Sequence, residues 1–199
     1  MADFSEFMSH ILPHAMTCPE PAAFKALRDS AAEFCRRTRA WRYIGTTNVK
    51  VGRSIILPVP EGANMFELRS ASLDGKQLEL SSFEMMDLDA EPGSARYLCV
   101  EPDGRVIISP EQDGELRVVM YLIPDSRTEE LPDFLLEDHG EYLGAGALKD
   151  LLVLPNQPYT NPQNAGMFAM KFEGYINTNF ALYKRGKQRA TIRTKARFL

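Results

Sequence analysis

The sequence predicts an α+β fold in which a helical bundle carries an inserted antiparallel β meander or small sandwich. Apolar residues recur at helical spacing near the N-terminus and again in the last third of the chain. Between these regions lie short alternating runs separated by turn residues, which are typical of strands. The apolar residues of the basic C-terminal segment do not recur at helical spacing, which predicts an extended arm at residues 186–199. The resulting divisions are 1–42, 43–125, 126–185 and 186–199.

Two helices are predicted before residue 43. The first covers about residues 3–12 and ends at Pro13, which has no amide hydrogen for a helical hydrogen bond. The second begins at Pro19 and Pro21, which fit a first helical turn, and runs to about Trp41. The residues on its buried side follow one another at alternating intervals of three and four positions. They are Phe24, Leu27, Ala31, Phe34, Thr38 and Trp41.

Between residues 43 and 124 the chain alternates runs of β-branched and aromatic residues with turn signals. The runs are TTNVKV, SIILPV, MFELRSASL, QLEL, ARYLCVE, RVIIS and ELRVVMYLI. Aspartate–glycine pairs such as Asp74-Gly75 favour tight turns between them. Six or seven strands joined in this way predict an antiparallel meander or small sandwich. The strand–helix alternation of a doubly wound nucleotide-binding sheet is missing.

Two more helices are predicted after the strands. Pro132 opens the first of them, which contains Gly140, Gly144 and Gly146. Each glycine costs about 1 kcal/mol relative to alanine inside a helix, so we expect close approach of another helix or subunit. A break near Gly140 is the alternative. The last helix covers about residues 163–183, and its buried side consists of Met167, Phe168, Phe172, Tyr175, Ile176 and either Leu182 or Tyr183.

Charge is distributed unevenly along the chain. Residues 183–199 hold seven of the 23 basic residues and none of the 27 acidic residues. This segment therefore carries +7, and residues 1–182, with 16 basic and 27 acidic residues, carry −11. The acidic body repels nucleic acid at long range, whereas the basic segment attracts polyanions or acidic proteins.

Other bulk features argue against several classes of protein. No apolar run reaches the roughly 18–20 residues of a membrane span. The start MADFSEFMSH has acidic residues where a signal peptide has basic ones, which predicts a cytoplasmic start. Three widely spaced cysteines, Cys18, Cys35 and Cys99, predict reduced thiols and not a disulfide framework.

Two groups of residues have the spacing of weak metal-site candidates. His10, His14 and Cys18 are four residues apart, but the proline at position 13 breaks the helix between the histidines, and a fourth ligand is missing. The cluster at residues 87–91, formed by Asp87, Asp89 and Glu91, lacks the glycine and the distal glutamate of an EF-hand loop. We interpret this cluster as a solvated acidic turn.

Enzyme motifs are missing as well. The sequence contains no GxSxG, HExxH, Walker A or GxGxxG motif. His139 lies in LEDHGEY, where neighbouring acids would raise its pKa and suit it to acid–base chemistry. A solvated histidine on a helix surface is the commoner arrangement and is our interpretation. The sequence therefore predicts no enzyme, no metal and no cofactor.

The segment CRRTRAWRY, residues 35–43, places four arginines beside a tryptophan and a tyrosine. Arginines neutralise phosphates and aromatic rings stack on bases, which would suit a nucleic-acid platform. Arginines also form two parallel hydrogen bonds with carboxylates of a partner protein. Arg36, Arg37 and Arg39 lie off the buried side of the helix, so we expect them to face solvent or a partner.

Two long segments resemble the bacteriophage head–tail adaptor (connector, neck) proteins. The first, CPEPAAFKALRDSAAEFCRRTRAW, matches that family's opening helix at Cys18, Pro19, Glu20, Pro21, Ala26, Leu27, Ala31, Ala32, Phe34, Cys35, Arg37, Thr38 and Trp41. The second matches at Leu131, Pro132, Asp133, Gly144, Gly146, Ala147, Leu148, Leu151, Leu152, Pro155, Pro158, Asn161, Pro162, Ala165 and Phe172. Tyr159 stands where the family pattern has tryptophan, and the β region is similar only in layout.

The resemblance implies a structural virion protein that forms a ring, usually dodecameric, between the portal protein and the tail or nozzle protein. The genome would pass through the lumen without sequence readout, and the protein would be made in the host cytoplasm and end in the virion neck. Trp41 would be a core residue at a helix–sheet junction. The interface residues that we expect are Arg36, Arg37, Arg39, Arg42, Lys184, Arg185, Lys187, Arg189, Arg193, Lys195, Arg197 and Phe198.

Within this interpretation the helical part docks on the portal, the β part forms the distal rim, and the arm at 186–199 reaches a neighbour or the portal. A tail-tube or tail-completion protein of a phage is the nearest alternative. A sequence-independent nucleic-acid-binding module would use CRRTRAWRY and the basic segment. A small hydrolase would use His139 and the acidic cluster at residues 87–91.

Overall fold

The structure is a computed structural model that describes residues 1–53, 55–87, 90–101 and 104–180. The described residues form four helices, a six-stranded sheet and a two-stranded sheet, which confirms the predicted α+β class. They divide into two compact units. The helical unit comprises Met1–Trp41 and the chain from Ile123 onward, and the β unit comprises Arg42–Leu122.

Proline sets the start of three helices in the helical unit. Its helices are α1 (Phe4–Ile11), α2 (Glu20–Thr38), α3 (Asp133–Leu151) and α4 (Pro162–Asn179). α2 follows Pro19, α3 follows Pro132, and α4 has proline at its first position, as the fixed φ angle of proline favours. α1 ends at Ile11, just before Pro13, as predicted.

The first helix is fixed by its N-terminal cap and by a small sheet. The Asp3 carboxylate accepts a hydrogen bond from the Ser5 amide at 2.7 Å, and Glu6 accepts one from the Asp3 amide at 3.0 Å. Strand β1 (Ala2–Asp3) pairs antiparallel with β8 (Glu130–Leu131). This pair, which no local sequence pattern predicts, joins the start of the chain to the segment that leads into α3.

α3 is the central helix of the unit and contacts each of the other three. The glycines of α3 allow this close packing because they have no side chain. A Cβ atom on Gly144 would lie 2.6 Å from the Cβ of His10 on α1. A Cβ atom on Gly146 would overlap the Ser30 hydroxyl on α2 and would lie 2.9 Å from the ring of Phe172 on α4. Helices of the same chain therefore account for these two glycines.

The predicted buried side of α2 forms much of the core of this unit. Leu27, Ala31, Phe34 and Thr38 are all buried. The Thr38 hydroxyl donates to the carbonyl oxygen of Phe34 at 2.7 Å, which satisfies a polar group inside the core. α3 runs through Gly140 as one continuous helix, so the alternative of a break there is wrong.

The β unit is one six-stranded sheet with its first and last strands side by side. Its strands are β2 (Arg42–Val49), β3 (Ala63–Leu73), β4 (Lys76–Leu80), β5 (Tyr97–Val100), β6 (Val106–Ser109) and β7 (Gly114–Pro124). The order across the sheet is β2-β7-β3-β4-β5-β6. Asp74 and Gly75, with φ angles of 49° and 81°, form the predicted tight turn between β3 and β4.

The sheet differs from the expected meander in two places. β4 and β5 are parallel, whereas the pairs β2–β7, β3–β4 and β5–β6 are antiparallel. The connection at residues 81–96 has the dozen or more residues that a parallel pair requires. The described residues of SIILPV form no strand, and only Ile55 bridges to Val106. Pro58 cannot donate the amide hydrogen bond that a ladder needs.

Candidate protein interface

The basic cluster predicted from the sequence begins in the last turn of α2. Arg36 is exposed, and Arg37 and Arg39 are half-buried. Arg39 ends the helix in the left-handed conformation (φ 54°, ψ 36°), and its amide donates to the carbonyl oxygen of Cys35 at 2.8 Å. Cations in this turn suit the partial negative charge at the C-terminal end of a helix.

Arg37 is used within the chain. Its two terminal nitrogens donate to the two carboxylate oxygens of Glu173 on α4, at 2.6 and 2.7 Å, and one of them also donates to Glu33 at 3.2 Å. The hydrogen bonds from Arg37 lower the pKa of Glu173, and those to Glu173 and Glu33 raise the pKa of Arg37. Arg37 therefore links α2 to α4, and it is not the free cation that the sequence suggested.

The remaining residues of CRRTRAWRY divide between the two units. Trp41, the last residue of the first segment of the helical unit, is 7% exposed, which leaves no ring face open for stacking on a base. Its burial agrees with the core role that the resemblance implies. Arg42 begins β2 in the β unit, where it is exposed and pairs in register with Tyr121.

The rest of the predicted interface belongs to the C-terminal segment. Lys184, Arg185, Lys187, Arg189, Arg193, Lys195, Arg197 and Phe198 lie outside the described residues. Their role in an interface stays a prediction from the sequence. Within the described chain, Arg36 and Arg42 are the exposed members of the predicted set, one in each unit.

His139 is buried, so its interpretation as a solvated surface residue is wrong. Its side chain is 6% exposed and packs at 4.8 Å from the Phe34 ring, measured between ring centroids. Its Nδ1 atom lies 2.8 Å from the hydroxyl of Tyr175 on α4. Tyr175 in turn stacks flat on Tyr142, with the ring centroids 3.5 Å apart. His139 therefore joins α2, α3 and α4 in an aromatic cluster.

The metal-site candidates that lie in the described residues do not assemble into a site. His10 packs against the glycines of α3, the His14 ring lies 4.8 Å from Phe168, and the Cys18 thiol donates to the carbonyl oxygen of Pro19 at 3.6 Å. In the described ranges, no three histidine, cysteine or acidic side chains group in a way that can hold a metal ion. Of the acidic cluster at residues 87–91, Asp89 lies outside these ranges.

The three cysteines are free thiols in buried positions. Burial raises the pKa of Cys35 to about 12, which keeps this thiol protonated at neutral pH. Burial is also the main cause that raises the pKa of Cys18 and Cys99. They behave as small core residues, in agreement with the prediction of reduced thiols.

An exposed face of α4 is the surface that the sequence reasoning missed. Met167, expected in the buried stripe, is 52% exposed, and Met170 is 73% exposed. Gly166 and Gly174 lie on the same side of the helix, and a Cβ atom on either would meet no heavy atom within 4 Å. The spacing of Gly166, Met170 and Gly174 by four residues was the available signal, because it places all three on one helical face.

No protein-family model matches the chain, and no curated protein matches it either. In the part of the chain that the structure describes, no helix combines the length and apolar character needed to cross a membrane.

Proposed function

We propose that the chain is a structural protein of a bacteriophage virion. It acts as a head–tail adaptor: copies form a ring between the portal protein and the tail or nozzle protein, and the genome passes through the lumen. The observation that carries this proposal is that the two segments resembling the adaptor family, far apart in sequence, pack together in one helical unit. Such packing is expected if both segments belong to one shared scaffold.

Matching positions of the two segments have structural roles in that unit. Gly146 and Phe172, both part of the resemblance, meet where α3 and α4 touch. Arg37 of the first segment forms its two hydrogen bonds with α4, which the second segment contains. Asn161 caps α4 by accepting a hydrogen bond from the Asn164 amide at 3.1 Å, and Pro162 occupies the first helical position.

The charge distribution supports the same proposal. Residues 1–182 carry −11, so a ring of these bodies can present an acidic wall to the genome. Like charge keeps DNA from adhering to such a wall while it moves through. Arg37 is hydrogen-bonded to Glu173, and Trp41 is buried. Fewer side chains of CRRTRAWRY are therefore available to bind nucleic acid.

The first experiment is quantitative peptide mass spectrometry on purified virions, with the copy number of this chain compared with that of the portal protein. We expect a ratio near one copy per portal subunit. A ratio of several would indicate a tail-tube protein. Absence of the chain from particles would refute the proposal and favour the nucleic-acid-binding alternative, which a filter-binding assay over a salt series would then test.

Deletion of residues 186–199 tests whether the basic arm is needed for joining the portal. The four helices α1 to α4 end before residue 186, the last of them at Asn179, so we expect the shortened chain to fold. We also expect it not to join the portal, because the deletion removes Lys187, Arg189, Arg193, Lys195 and Arg197. Particles of normal composition and infectivity from this variant would contradict the role of the arm.

A further inference from the structure

One edge of the six-stranded sheet is long, regular and unpaired in the described chain. β2 pairs in register with β7 at all eight of its residues, without a bulge. In the described ranges no strand lies on the other side of β2. The opposite edge differs, because β6 has only four residues and Ile55 bridges to it at Val106. Edge strands are usually protected by charge, proline or short length, whereas β2 carries one charge, Arg42, and no proline.

A hydrogen bond of β7 shows which backbone groups of β2 face outward. Asp74 directly follows β3, on the far side of β7, and its amide donates to the carbonyl oxygen of Glu115 at 3.0 Å. The backbone groups of Glu115 therefore point away from β2, and those of its partner Asn48 point to the outer edge. Because this direction alternates along a strand, the residues whose amides and carbonyls form the outer edge are Arg42, Ile44, Thr46 and Asn48. An extended segment is the partner that satisfies such groups.

The basic C-terminal segment contains a pattern that matches β2. Along β2, exposed residues alternate with half-buried or buried ones. Residues 191–198, TIRTKARF, have basic residues at 193, 195 and 197, and uncharged residues between them. This period of two is typical of a strand with one exposed face, and the eight residues equal the length of β2. We name residues 191–198 the alternating segment; it lies outside the described residues.

Charge also favours a contact between the alternating segment and the β unit. The β unit, residues 42–122, holds 8 basic and 13 acidic residues and therefore carries −5, whereas residues 183–199 carry +7. A strand added at the outer edge can place its basic side chains on the exposed side of the sheet, which also carries Glu115. Its uncharged side chains then lie on the side of the buried Gly45 and Val49.

The chain that follows α4 is long enough to reach β2. Arg37 in the last turn of α2 is bonded to Glu173, and α4 rises about 10 Å further to Phe180. From Arg37 to Arg42, where β2 begins, the chain spans at most about 18 Å. From Phe180 to Thr191 it extends up to about 36 Å. Such a tether gives the alternating segment an effective concentration of about a millimolar near its own chain, which favours pairing within that chain.

We infer that the alternating segment pairs as an added strand with the outer edge of β2 in the same chain. The pairing satisfies the outward amides and carbonyls of β2. It also closes the edge against strands of other molecules. This inference goes beyond the proposed function, because it concerns the single chain and does not depend on a role in the virion.

The test is amide hydrogen exchange, followed by NMR, in the purified full-length chain and in the chain that lacks residues 186–199. The amides of Ile44, Thr46 and Asn48 should exchange roughly tenfold or more slowly in the full-length chain than in the shortened chain. The amides between them face β7 and should exchange equally in both chains. Equal exchange of the outward amides in the two chains would overturn the inference.

A pair of proline variants separates strand pairing from attraction by charge alone. Thr191→Pro/Thr194→Pro places proline at positions of both backbone directions, so one of them removes an amide hydrogen that faces β2. Gly186→Pro/Gln188→Pro is the matched control outside the alternating segment, and both variants keep all seven basic residues. The first variant should exchange like the shortened chain, and the control like the wild type. Wild-type exchange in both would refute the added strand.

Dilution shows which copy supplies the strand. Hydrogen exchange of the peptide that covers β2, measured by mass spectrometry, should stay the same over a tenfold dilution of the full-length chain. Protection that disappears on dilution would assign the strand to another copy and refute pairing within the chain. Absence of the chain from virions would instead refute the adaptor function and leave this measurement valid.

Discussion

Two helices of the same unit use glycine in opposite ways. In α3, the positions of Gly144 and Gly146 are filled by residues of α1, α2 and α4, so that a Cβ atom would overlap them. In α4, Gly166 and Gly174 face open space. Both helices depart from the sequence that an isolated helix would prefer, but only in α3 does the chain itself supply the reason.

The comparison shows that the meaning of a helical glycine depends on the space beside it. A glycine in a filled position is a packing residue, and its replacement should damage the fold. A glycine in an open position lowers the stability of the isolated chain, and no contact within that chain offsets the loss. Substitutions at the two kinds of position should therefore change the stability of the folded chain in opposite directions.

Gly146→Ala should give the largest effect. The new methyl group would overlap the Ser30 hydroxyl, which donates to the Leu143 carbonyl oxygen at 2.9 Å, and would press on the Phe172 ring. Overpacking typically costs about 1–3 kcal/mol, so we expect a net loss of about 2 kcal/mol in the free energy of unfolding despite the better helix propensity of alanine. Urea denaturation followed by circular dichroism measures this loss.

Ser30→Ala provides the control for that measurement. It removes the hydroxyl that Gly146→Ala would strike, so the double variant should recover part of the loss, as a double-mutant cycle would show. A Gly146→Ala chain as stable as the wild type would mean that the helices separate easily at this point. The proposed difference between α3 and α4 would then be wrong.

Arg37→Gln tests how firmly α4 is attached to α2. The variant loses two hydrogen bonds to Glu173 and one to Glu33. The Arg37 and Glu173 side chains are 35% and 43% exposed, so solvent screening limits the expected loss to about 1 kcal/mol. Urea denaturation measures it. Lys25→Gln, in a more exposed pair within α2, should cost only a few tenths, and equal losses would refute the linking role of Arg37.

Gly174→Ala should act in the other direction. With nothing within 4 Å of the new methyl group, alanine brings only its better helix propensity. We expect a gain of about 0.5–1 kcal/mol in the free energy of unfolding, measured by urea denaturation at a concentration where the chain is monomeric. A loss of stability would show that the position is occupied in the folded chain. The contrast between the two helices would then disappear.

The helices were predictable because their signals are local. The three–four spacing from Phe24 to Thr38 identifies the buried side of α2, and the prolines fix the starts of α2, α3 and α4. The burial of His139 also had a signal that was not used. Leu135, His139 and Leu143 are four residues apart, and all three are buried on one side of α3.

The contacts that the predicted interface residues make within the chain depend on long-range pairing. Arg37 meets Glu173 across 136 residues, and no local pattern distinguishes this arginine from the exposed Arg36 beside it. Met167 was assigned to the wrong side of α4 because it adjoins Phe168 in sequence, although a helix turns 100° between them. The parallel β4–β5 pair likewise depends on how a long connection returns to the sheet.

The smallest expected effect is a dependence of the α2–α4 link on pH. Arg37 holds the pKa of Glu173 below its ordinary value of about 4.3, so in the acid range the unfolded chain takes up a proton at this residue more readily than the folded chain. The stability from this pair is therefore complete above the ordinary pKa and is lost as the pH falls through the lower, folded-state value. Free energies of unfolding from urea denaturation between pH 6 and pH 3 should show wild type and Glu173→Gln converging by a few tenths of a kcal/mol. A constant difference across this range would mean that Glu173 does not carry the charge that anchors α4.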